Sequence, residues 1–206
     1  MLKLKFSKYK TECGTDEAGR GCLAGPVFSA AVIWPKDLNC EIENQIKDSK
    51  KLSKKKRKML RDYIEYNAID FSVAKMDNTI IDKYNILKAT HMAMHEALNK
   101  LNVVPELILV DGNSFKPYYI DNNELIEHMC VIEGDNNYIS IACASILAKV
   151  YHDEYIESLI EEDSDLNKYG WESNMCYGTK THIEAIKEYG LSKYHRRTFG
   201  ICSDYV

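Results

Sequence analysis

Apolar and polar positions along this chain mark out its elements in order. Thr11 to Thr15 reads as a short strand running into the acid pair Asp16-Glu17. Val27 to Trp34, apolar and β-rich after the Gly25-Pro26 turn, predicts a second strand. Ile69, Phe71 and Val73 alternate over Ile69 to Ala74 and predict a third. The short or moderate connections between these three favour an antiparallel meander. Ile80, Tyr84, Leu87, His91, Met94, Leu98 and Leu101 recur at steps of three and four, which puts them on one face of a helix. Pro105 breaks that pattern. Leu107 to Val110 is apolar throughout, as a central strand covered on both faces would be. It ends at Asp111-Gly112-Asn113, the kind of strand end where open α/β sheets bind ligands. Met129 to Ile132 predicts a fifth strand, ending in Glu133-Gly134-Asp135. Ala142, Ile146 and Val150 set a helical spacing from Ile139 to Ile160, and a last helix spans Thr181 to Tyr189 with Gly190 as its cap. The expected fold class is α/β: a mixed five-stranded sheet flanked by helices, with a small helical C-terminal segment from about residue 165.

At 206 residues the chain fits one domain, 1–206, with a sizeable core. Its 45% hydrophobic and 28% charged residues argue against disorder. No apolar run reaches the roughly 18–20 residues of a membrane span. The start, Met1-Leu2-Lys3-Leu4-Lys5-Phe6, interleaves lysine with apolar residues and lacks an export signal's apolar stretch, so a cytoplasmic location is expected. The seven cysteines (Cys13, Cys22, Cys40, Cys130, Cys143, Cys176, Cys202) form no CxxC pair, and reduced thiols are the expectation. His91 and His95 lie four apart without the glutamate of a zinc-protease motif, so they read as a packed or surface pair.

A net charge of −4 predicts no polyanion partner by itself, but the distribution changes the picture. Lys47 to Lys58 holds eight basic residues in twelve positions, opposed only by Asp48, while Glu157 to Asp165 is acidic. A locally positive surface can hold a polyanion because attraction acts over a Debye length of about 8–10 Å. The plain alternative is a solvated, lysine-rich helix face.

The candidate chemistry lies in the acids at strand ends: Asp16, Glu17, Asp111 and Asp135. Phosphodiester hydrolysis by two cations roughly 3.5–4 Å apart needs such a cluster. Mg²⁺ takes few carboxylates and keeps water or substrate oxygens. Four convergent carboxylates without a cation would repel one another and hold protons. Taken singly, each acid has an ordinary reading, Asp111 before Gly112 being a common turn former.

Asp16-Glu17-Ala18-Gly19-Arg20-Gly21 with Leu23-Ala24-Gly25-Pro26-Val27 resembles the first motif of type 2 ribonucleases H, the bacterial ribonuclease HII family. Asp48-Ser49-Lys50-Lys51-Leu52, Asn85 to Thr90, Leu109 to Asn113, Gly134-Asp135, Ser140 to Val150, Tyr177 to Lys180 and His195 to Phe199 resemble further family segments, in order. The Gly-Arg-Gly form favours type 2 over the related type 3 enzymes. The resemblance implies a ribonuclease H-like fold and an endonuclease that cuts the RNA strand of RNA–DNA hybrids. It also implies cutting 5′ of a single ribonucleotide in duplex DNA, with 3′-OH and 5′-phosphate products, in the removal of misincorporated ribonucleotides. By the same resemblance Asp16, Glu17, Asp111 and Asp135 ligate two Mg²⁺ or Mn²⁺ ions. The backbone of Gly19, Arg20 and Gly21 senses the ribose 2′-OH, and Tyr177 stacks on the adjoining sugar. Lys50, Lys51 and Ser145 contact phosphate, and the Lys47–Lys58 segment lies along the duplex. The expected partners are RNA–DNA hybrid and ribonucleotide-containing duplex, acted on by a monomer; the last residues, Ile201 to Val206, hold no convincing clamp-binding tail. Two departures stand out: Met175-Cys176 where the family commonly has Lys-Gly, and His152 where it commonly has arginine.

Overall fold

The computed structural model describes residues 2–36 and 41–206, so Cys40 lies outside the described residues. Strands β1 (Glu12–Ala18), β2 (Val27–Ile33) and β3 (Asp70–Met76) form the expected antiparallel meander. β4 (Leu107–Asp111) pairs parallel to β1 on the other side, β5 (Tyr118–Ile120) is the far edge, and β6 (Glu124–Val131) lies between them, parallel to β4. The order is therefore β3-β2-β1-β4-β6-β5, six strands where five were expected. The extra strand is β5, whose three residues after Pro117 are too few to show an alternating pattern.

Every residue of β2 is buried, because a helix covers each face. On one face Ala30 and Val32 meet α4 (Ile139–Glu162) through Ala142, Ala144 and Ile146. On the other, Ala31 and Ile33 meet α3 (Ile86–Asn99) through Met94, Ala97 and Leu98. Close approach fixes α4 on β1: a Cβ on Gly14 would stand 2.2 Å from the Ser140 carbonyl carbon. The far half of α4 carries Ile156 and Leu159 into a separate cluster with Leu166, Tyr169, Trp171 and Ile186, which seats the C-terminal segment. That segment contains α5 (Trp171–Asn174) and α6 (Lys180–Tyr189), the latter ending at Gly190 as expected.

One more expectation is corrected. The helical run from Ile80 to Leu101 is two helices, α2 (Asn78–Tyr84) and α3. Asn85, at φ 69°, ends the first with its N–H on Ile81 O and begins the second by accepting the Lys88 N–H at 3.1 Å. Tyr84 and Leu87, counted on the apolar face, are consequently exposed. Part of the basic segment's charge is paired within the chain, while Lys47, Lys50, Lys51, Lys54 and Lys55 stay exposed. In α1 (Lys54–Asn67), Lys54 pairs with Glu157, Lys58 with Glu154 and Glu157, and Arg57 with Asp153 at 3.3 Å. Among the described residues no helix is long and apolar enough to cross a membrane.

Candidate active site

Parallel pairing brings the acids together. Thr15 stands beside Val110 in the β1–β4 register, so one step on Asp16 stands beside Asp111, with strands about 4.8 Å apart. Asp111 in turn pairs with Val131 at the end of β6, and the chain then turns through Glu133 (φ 53°) into Gly134-Asp135. The Gly134 N–H donates to Asp111 Oδ1 at 2.7 Å, which ties the third acidic strand end to the second. Asp16 accepts the Glu17 N–H at 2.7 Å, and Glu17 pairs with Arg20 at 3.1 Å.

Electrostatics record the crowding. Burial, then Glu17 and Asp111, push the Asp16 carboxyl well above the usual carboxylate range. Burial also raises Glu17, against the opposing pull of Arg20. Asp135 is pushed up to about 6 by burial, then by Asp111 and Asp48. Asp48, buried beside Asp135, is a fifth acid that the sequence reading quoted in a motif without a role.

These groups fit hard divalent cations. The donors are carboxylate oxygens, with neither thiolate nor imidazole among them, which suits Mg²⁺ or Mn²⁺ over soft metals. The upward shifts of Asp16, Glu17 and Asp135 are what burial and neighbouring carboxylates produce. Among the described residues, no group of three or more His, Cys, Asp or Glu side chains is gathered closely enough to hold a metal ion as it stands.

Beside the acids lies the Gly19-Arg20-Gly21 turn. Gly19 has φ +89°, and a Cβ there would stand 2.7 Å from the His152 ring. His152, fully buried, pairs with Asp153 at 3.0 Å and sets its other nitrogen 3.7 Å from Cys22 Sγ. This departure from arginine therefore supplies no surface cation; the residue packs under the turn. Behind the turn sits Arg196, also fully buried and bonded to four backbone carbonyls of the 19–26 loop. The sequence reading gave it no role.

Tyr177 is partly exposed next to the same turn: a Cβ on Gly21 would lie 3.7 Å from its ring. Lys149 Nζ sits 5.2 Å from the ring centroid, and His182 Nδ1 lies 3.0 Å from the Tyr177 carbonyl. Met175 and Cys176 hold φ values of 47° and 66°, so the loop keeps a left-handed course without glycine there. Lys50 and Lys51 are exposed on a short 3₁₀ turn capped by Asp48. Lys50 is near enough to Glu17 and Asp135 to favour their charged forms. Ser145 is buried, near enough to Asp16 to favour its charged form, and 3.0 Å from Ser49 Oγ. His91 and His95 instead hold the loop after β4, facing the carbonyls of Ser114 and Lys116 at 3.1 and 3.0 Å.

The family model described as Ribonuclease HII matches residues 13–202. A ribonuclease HII from Christiangramia forsetii is 50% identical over 194 residues, covering 94% of this chain and 92% of that protein. One from Parabacteroides distasonis is 50% identical over 199 residues, covering 97% and 94%. Among solved structures, the ribonuclease H2 from Pyrococcus horikoshii OT3 matches with a TM-score of 0.77 at 25% identity, over 95% of this chain and 96% of that one.

Proposed function

The chain belongs to the ribonuclease HII family, endoribonucleases that degrade the RNA of RNA–DNA hybrids, and from that premise we propose that it also cuts 5′ of a single ribonucleotide embedded in duplex DNA. The products would carry 3′-OH and 5′-phosphate ends, and the cut would begin removal of ribonucleotides from DNA. The observation that carries this reading is the parallel register ending at Thr15 beside Val110, the residues just before Asp16 and Asp111, with Asp135 tied to Asp111 through the Gly134 N–H.

Asp16, Glu17, Asp111 and Asp135 would hold two Mg²⁺ or Mn²⁺ ions, which when bound supply Lewis-acid stabilisation of the phosphate and acidify bound water. The chain's own groups do the rest. Lys50 and Lys51 neutralise phosphate charge at the rim. The Gly19-Arg20-Gly21 backbone meets the ribose 2′-OH, which is what separates RNA from DNA at one position. Tyr177 lies against the neighbouring sugar and selects deoxyribose there. Ser145, buried beside Asp16, favours that carboxylate's charged form. The free thiols among the described cysteines fit a reducing compartment, and we place the activity in the cytoplasm.

The test is a duplex carrying one ribonucleotide, incubated in Mg²⁺ or Mn²⁺ and then with EDTA. Cleavage should occur at the 5′ side of the ribonucleotide, stop with EDTA, and vanish in Asp111→Asn while duplex binding persists. Cutting only within longer RNA tracts would assign the chain to a related nuclease that needs a run of ribonucleotides. Binding without any cleavage would make it a nucleic-acid-binding domain on the same scaffold.

A further inference from the structure

Arg196 is fully buried, and no carboxylate comes within ion-pair distance of it among the described residues. Its guanidinium spends four N–H donors on backbone carbonyls: Nε on Gly25 O at 2.9 Å, Nη1 on Arg20 O at 2.9 Å, and Nη2 on Gly19 O at 2.7 Å and Pro26 O at 3.1 Å. Its own N–H donates to Leu23 O at 2.8 Å, and the Gly25 N–H donates to Tyr194 O at 2.9 Å. Phe199 closes the pocket, its ring centroid 5.1 Å from the guanidinium carbon.

Burying a cation this way costs desolvation that an apolar side chain of similar size would not incur. What only arginine offers is a rigid planar fork that fixes several acceptors at once. The acceptors matter. In a trans peptide unit the C=O and N–H point in opposite directions. Drawing the carbonyls of Gly19 and Arg20 inward onto Arg196 therefore turns the N–H groups of Arg20 and Gly21 outward, on the side where Tyr177 lies. The next amide, that of Cys22, is already committed to Gly19 O at 3.3 Å. Those of Arg20 and Gly21 donate to nothing among the described residues. His152 under Gly19 blocks collapse of the turn from below.

We infer that Arg196 is a positioning residue for ribose recognition: by gripping the carbonyls of the Gly19-Arg20-Gly21 turn it aims the Arg20 and Gly21 amides at the substrate's 2′-oxygen. This rests on the proposed recognition of the 2′-OH by that turn. Lysine at 196 keeps the charge but, as a point donor, cannot hold the fork of carbonyls, so the amides lose their aim.

The experiment measures duplex affinity in Ca²⁺, comparing a duplex bearing one ribonucleotide with the all-DNA duplex of the same sequence. The parent should prefer the ribonucleotide duplex. Arg196→Lys, with its thermal unfolding still cooperative, should lose that preference while binding all-DNA duplex as before. In Mg²⁺ its kcat/KM for single-ribonucleotide cleavage should fall by about 100-fold, the scale of a roughly 1 Å misplacement. A folded Arg196→Lys protein that keeps the preference overturns the role of Arg196 and leaves ribose recognition standing. A parent with no preference removes ribose recognition itself, and the role of Arg196 with it. Amide NMR on the unmutated protein makes the test independent of the variant's folding. The Arg20 and Gly21 resonances should shift with the ribonucleotide duplex and stay with all-DNA duplex; equal shifts with both would overturn the inference.

Discussion

Replacing Asp135 by Asn should stabilise the cation-free protein while removing its activity. Folded Asp135 titrates at about 6 against an ordinary value of 3.8, raised by burial and then by Asp111 and Asp48. Between those two values the folded chain holds a proton that the unfolded chain has released. Stability is therefore fully present at low pH and falls as pH rises through the window from about 4 to 6, levelling off above it. Asp16 and Glu17, also raised, tilt stability the same way. A rise of about two units corresponds to at most ~3 kcal/mol. Solvent screening at the rim reduces this to roughly 1–2 kcal/mol. Asparagine keeps the oxygen that accepts the Asn136 amide at 3.0 Å and never ionises. In EDTA at pH 7.5 the Asp135→Asn protein should melt about 2–8 °C above the parent, taking about 2–4 °C per kcal/mol for a chain of this size. Its melting temperature should also vary less between pH 4 and 6. Calorimetry across that range in EDTA decides it. An Asp135→Asn protein no more stable than the parent, with the same pH slope, would mean that the carboxylates are not crowded.

Tyr177→Ala should slow single-ribonucleotide cleavage by about 10- to 100-fold, since aromatic contacts with nucleic acid are worth roughly 1–3 kcal/mol; an unchanged rate on that duplex removes the stacking role. Lys50→Ala should weaken binding alike for all duplex sequences and lower the salt-dependence slope by about one, read from titrations at several salt concentrations. Gly14→Ala forces a Cβ onto the Ser140 backbone. It should cost about 3 kcal/mol and lower Tm by roughly 6–12 °C, measurable by thermal melts in EDTA.

Asp111 was legible because it ends the apolar run Leu107 to Val110, and a strand's end is visible where its hydrophobic pattern stops. Asp16, Glu17 and Asp135 were legible only as acids near strand ends, and it was the family resemblance, not the pattern, that joined the four into one site. The break at Asn85 was hidden because Tyr84 and Leu87 preserve helical spacing across a residue whose φ of 69° no periodicity reveals. The fate of the basic segment was half visible: Lys54, Arg57, Lys58 and Arg61 recur at helical spacing, as do Asp153, Glu154 and Glu157, and each stripe is the other's counterion. Arg196 was illegible. An arginine beside His195 and Arg197 reads as surface charge until the fold closes the 19–26 loop over it. The burial of Ser145 near Asp16 was equally invisible, since a small hydroxyl suits either a phosphate or a neighbouring carboxylate.

Anomalous diffraction from crystals soaked in Mn²⁺ tests the central claim most directly. A manganese peak bridged by the carboxylates of Asp16 and Asp111, with Asp135 or Glu17 within reach of it or of a second peak, is the result expected. Peaks elsewhere, or none at these strand ends in crystals of protein that still cleaves, would contradict it.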